Sequence, residues 1–99
     1  MNNNEKWKIE EAHDVAMRAL NEAEERLDDY RQRFYQETAK LSDFVSNFYH
    51  HLPNTSSNSF YRNFEQTVEE YNWELRKKQQ QIEEARDEEQ RDFNRKLDN

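Results

Sequence analysis

Apolar residues recur along the first half of the chain in alternating steps of three and four. Ile9, Ala16, Ala23, Tyr30 and Phe44 hold one position of this series, and Leu20, Leu27, Phe34, Leu41 and Phe48 hold the other. Only His13 and Glu37 interrupt it. A spacing of about 3.5 residues is the signature of a coiled-coil-like helical seam. A second series follows the same rule through Tyr61, Phe64, Val68, Tyr71, Leu75, Ile82 and Ala85, with Lys78 as its interruption. Past Ala85 it fades, leaving Phe93 and Leu97 to one side. Between the two series stands "HHLPNTSSNS", where Pro, Asn, Thr and Ser offer the backbone hydrogen bonds that compete with helix. The pattern predicts one helix over about residues 4–50, a turn over about 51–58 capped by Ser57, Asn58 or Ser59, and a second helix over about 59–97. The expected fold is all-α, an antiparallel two-helix hairpin with no strand. In that register Phe48 comes level with Tyr61, Leu41 with Val68, Phe34 with Leu75, and Leu27 with Ile82.

Composition agrees with helix and limits the core. The 99 residues include no glycine, one proline and no cysteine, which disfavours tight β-turns, phosphate loops, disulfides and thiolate metal sites. Hydrophobic residues make up 32% and charged residues 37%, so a two-helix hairpin has little to bury. A core in a chain this small seldom supplies more than about 3–5 kcal/mol without a staple or a partner. Association with other helices is therefore expected. The residues that point to it lie outside the seam. Tyr35, Val45, Tyr49 and Leu52 form a second stripe on helix one, with the small Thr38 and Ser42 between them. Phe60 adds to it near the turn, and Trp73 falls on the far side of helix two, among Glu69, Glu70, Lys77 and Gln80. Tyr and Trp are common interface anchors, so these six residues are the candidate partner-binding set.

Charge and motif narrow the chemistry. The formal net charge of −7 disfavours nucleic acid, whose phosphates need clustered Lys and Arg. The opening "MNNNEKWKIEEAHD" lacks the apolar core of a signal peptide, and no stretch is long and apolar enough for a bilayer, so a cytoplasmic protein is expected. Glu10 and His13 make one Glu-x-x-His step, whereas a di-iron bundle needs two, with further inward carboxylates. His50 and His51 adjoin the turn without a His-x-x-x-His pair. "NTS" at residues 54–56 has the spacing of a glycosylation acceptor and is read as turn chemistry. No nucleophile stands with its base, so neither catalysis nor a cofactor is expected.

Two segments, "DDYRQRFYQETAKLSDFVSNFY" and "FYRNFEQTVEEYNWELRKKQQQIEE", flank the short polar turn. Together they make the chain resemble the small WXG-type helical hairpins of bacterial type VII secretion. More narrowly, it resembles the small targeting factors that accompany LXG-type toxins of Gram-positive bacteria. No Trp-x-Gly stands at the turn, and the Tyr-x-x-x-Glu spacing of Tyr61 to Glu65 lies at the start of helix two, not at its end. Both departures place the likeness with targeting factors that lack an export signal of their own. The resemblance implies a non-enzymatic adaptor that binds the helical N-terminal domain of a toxin alongside a second small helical protein. The rival reading is a self-associating coiled coil, a homodimeric four-helix bundle.

Overall fold

The structure is a computed structural model that describes residues 2–51 and 58–98. It contains two helices, α1 (Asn3–His50) and α2 (Asn58–Asp98), and no strand among the described residues. The fold is an all-α helical hairpin. The helix limits lie within a residue of those the pattern gives; most of the expected turn, with Pro53 and the "NTS" triplet, lies outside the described residues.

Each described terminus of α1 has a side-chain explanation. Asn2 precedes the helix, and its side-chain oxygen accepts the Glu5 amide proton at 2.8 Å, satisfying a donor the first turn leaves open. At the other end the His51 ring nitrogen Nδ1 lies 2.7 Å from the Asn47 carbonyl. A carbonyl only accepts, so His51 donates from Nδ1 to the same carbonyl that its backbone amide reaches at 3.3 Å. In α2, Arg95 and Lys96 sit in the final turn, where positive charge complements the helix dipole.

Packing divides the chain into two units. The first joins Met1–Leu27 to Lys77–Asn99, and the second is Asp28–Arg76. In the first unit the inward residues of α1 are Ile9, His13, Ala16, Met17, Leu20, Glu24 and Leu27. Those of α2 are Gln79, Ile82, Ala85, Arg86, Glu89, Phe93 and Leu97. This unit mixes apolar contacts with polar ones. His13 stacks on Phe93 with ring centroids 3.9 Å apart and places Nδ1 3.2 Å from a Glu89 carboxylate oxygen. Arg86 donates to Glu24 at 3.3 Å and to the Asn21 side-chain oxygen at 3.0 Å, and Gln79 donates to Glu24 at 3.1 Å.

The second unit is more apolar. Val45 and Leu75 are buried, and Phe34, Thr38, Ser42, Tyr49, Phe60, Tyr61, Phe64, Val68 and Asn72 are half-buried. Next to the turn, Tyr49 lies 5.7 Å from Phe60 and 6.4 Å from Tyr61, ring to ring, and Phe60 stacks on Phe64 at 6.1 Å. Leu27, Val45 and Leu75 are the only buried hydrophobic residues among the described ones.

The inner line departs from the expected seam in a regular way. On α1 the Leu20–Leu27–Phe34 row faces inward as expected. Its companion is the row four residues later, Met17, Glu24, Arg31 and Thr38, and the line continues through Ser42, Val45 and Tyr49. Ala23, Tyr30, Leu41, Phe44 and Phe48, read from the sequence as seam, are exposed. On α2 the Val68–Leu75–Ile82 row faces inward, with Asn72, Gln79 and Arg86 in place of Tyr71 and Lys78, both of which are exposed. Both helices are thus turned the same way from the simple heptad. Polar contacts favour this in the first unit, where Gln79 and Arg86 both donate to Glu24. In the second, the small Thr38 and Ser42 let the helices approach while Val45 fills the space that Phe44 was expected to occupy.

Candidate partner-binding surface

The six residues read as partner-binding occupy different surroundings. Val45 is 8% exposed and belongs to the core, and Tyr49 and Phe60 pack in the aromatic cluster beside the turn. Val45 is thereby corrected to the inside of the hairpin, and Tyr49 and Phe60 are half-buried. Tyr35 and Trp73 lie outside it, at 67% and 56% exposure. Leu52 lies outside the described residues.

The reverse holds for the residues that Val45 and Tyr49 displace. Phe44 is 67% exposed, and Tyr30, Leu41 and Phe48 are each about half exposed. At about 100° per residue these four fall within a wedge of roughly 60° on α1, so they form one strip. Tyr71 on α2 joins its edge by stacking on Phe34, with centroids 5.1 Å apart; Phe34 lies one heptad before Leu41. In the other unit the positions corresponding to Tyr30 and Phe44 carry Ala16 and Ala23, and those corresponding to Leu41 and Phe48 carry the inward Leu20 and Leu27.

No family model, curated protein or solved structure matches the chain. Among the described residues no group of three His, Asp or Glu side chains is placed to hold a metal ion. His13, the ring of the Glu-x-x-His step, is turned toward Glu89 and Phe93. No described helix is long and apolar enough to cross a membrane.

Among the described residues one titrating group has a displaced pKa. The Glu24 carboxyl is held below its ordinary value of 4.5, first by the hydrogen bond from Arg86, then by that from Gln79 and by the charge of Arg86, with desolvation opposing weakly. This is an ion pair that ties α1 to α2 within one unit, and it leads to no cleft with a reacting partner.

What sequence reasoning missed is the strip on α1. Its signal was present in Glu37 and Lys78, the two charges inside the apolar series. Both are exposed, and in each helix the residue just after, Thr38 or Gln79, turns inward. His13 also interrupts the series but remains part of the inner line.

Proposed function

We propose that this chain is a non-enzymatic helical adaptor that works by laying exposed aromatic residues against the helices of a larger protein. The observation that carries this reading is the exposure of large aromatics, with Trp73 and Tyr35 both more than half exposed. Trp73 is two residues from the buried Leu75 and so lies on nearly the opposite side of α2. The resemblance to targeting factors of LXG-type toxins supplies the finer reading. The partner is the helical N-terminal domain of a secreted toxin, bound in the cytoplasm together with a second small helical protein before type VII export. A thin hairpin favours this, because side-by-side helices bury surface it cannot bury alone.

The test is co-expression with the neighbouring reading frames, followed by native mass measurement. The adaptor reading predicts a complex containing a long helical toxin domain, and Trp73→Ala should weaken it by about 1–3 kcal/mol, the range for an aromatic anchor. A chain that takes up no heterologous helical partner, or a complex indifferent to Trp73→Ala and Tyr35→Ala, would remove it.

A further inference from the structure

The strip on α1 is a second seam. Tyr30, Phe34, Glu37, Leu41, Phe44 and Phe48 keep the alternating steps of a heptad, while the line used inside the second unit runs Phe34, Thr38, Ser42, Val45. Phe34 borders both. A helix that supports a heptad row it does not use internally presents a ready surface for another helix.

Area argues that something covers it. With about 150–250 Å² available to each large aromatic side chain, the exposed parts of Tyr30, Leu41, Phe44, Phe48 and Tyr71 amount to roughly 500 Å². That is more than half of the roughly 800 Å² a partner contributes to a standard interface.

Charge indicates what covers it. The strip runs from Tyr30 to Phe48, so its midpoint is residue 39. Glu37 and Lys40 stand on either side of that midpoint, Glu37 within the strip and Lys40 on its flank, both exposed. Two copies of α1 crossing antiparallel about this point bring Tyr30 of each against Phe48 of the other and Phe34 against Phe44. Glu37 of each then lies opposite Leu41 of the other, one residue along from Lys40. The surface is complementary to itself, which is the requirement for a two-fold contact. We infer that this face takes a second copy of the chain, giving an antiparallel dimer centred near residue 39 of α1. The contact is distinct from the adaptor surface, since Trp73 lies on the far side of α2 from Leu75.

The experiment is sedimentation equilibrium on the full chain and four variants, with circular dichroism as the control for folding. The wild type should reach twice the 12.3 kDa chain mass and dissociate on dilution. Phe44→Glu should keep its helicity and weaken self-association at least about tenfold, as loss of an interface anchor does. Glu37→Lys and Lys40→Glu should each weaken the dimer, and the double variant should recover it, because the swap restores opposite charges across the axis. The charge-swap pair leaves the inner line untouched, so it decides the matter even if Phe44→Glu unfolds. Orientation follows from single cysteines in a chain that has none. Tyr30→Cys mixed with Phe48→Cys should form a disulfide between the two variants, and neither should do so readily alone. A chain that stays monomeric at all concentrations, a dimer unmoved by the single charge changes, or self-crosslinking of each cysteine variant would overturn the inference.

Discussion

Glu24 shows what a single residue contributes to the hairpin. Its carboxyl is stabilised in the charged form by Arg86 and Gln79, so its folded pKa lies below the unfolded one. The stability from such a group is fully present above the unfolded value and is lost as pH falls through the folded value. Melting temperature should therefore fall on acidification below about pH 4.5, where ordinary glutamates begin to protonate. Glu24→Gln should flatten that part of the curve, and Arg86→Gln should do likewise. A pH profile unchanged by either substitution would show that the ion pair contributes nothing to folding. His13 acts through shape and a polar contact, with its ring flat on Phe93 and one nitrogen directed at Glu89. Phe93→Ala removes that platform and should cost about 1–2 kcal/mol in chemical denaturation, the scale of an aromatic pair with partial burial. Amide protection around residues 13 and 93 should drop before that around Val45. Uniform loss across the chain would contradict this local role.

At the scale of the helix, existence and extent were legible and facing was not. Absence of glycine, abundance of Glu, Gln, Lys and Arg, and one Pro/Ser/Asn cluster leave α1 and α2 as the only elements these residues readily form. Facing depends on a choice between two rows flanking Leu20–Leu27–Phe34. Hydrophobic periodicity selects Ala16, Ala23, Tyr30 and Phe44, because it scores Glu24 and Arg31 as surface residues. In the folded chain Glu24 is half-buried with partners on α2, a long-range pairing that no local pattern reveals. Leu75 satisfies both choices and is the most deeply buried core residue, at 4% exposure. Leu75→Ala should loosen the hairpin by about 2–5 kcal/mol, whereas Trp73→Ala should change it by under about 0.5 kcal/mol. Equal effects in thermal melts would place Trp73 inside and rotate α2 by half a turn.

For the molecule as a whole, the two rows of α1 differ in surroundings: the Val45 row packs inside the hairpin, and the Phe44 row is exposed. The candidate surface was half legible for the same reason. Tyr35 and Trp73 emerge as exposed on either reading, while Val45 and Phe44 exchange places once the helix turns by a single residue. This separation has a thermodynamic signature. Stability lost with Val45 should be independent of protein concentration, while stability lost with Phe44 should appear only where the chain self-associates, since assembly adds to apparent stability by mass action. The most direct measurement is urea unfolding of Val45→Ala and Phe44→Ala, at a concentration where sedimentation finds monomer. Val45→Ala should lose about 1.5–2.5 kcal/mol, from two methyl groups' worth of burial and the cavity left behind, and Phe44→Ala should stay within about 0.5 kcal/mol of the wild type. A larger loss for Phe44→Ala than for Val45→Ala would contradict the account and return the heptad row to the inside of the hairpin.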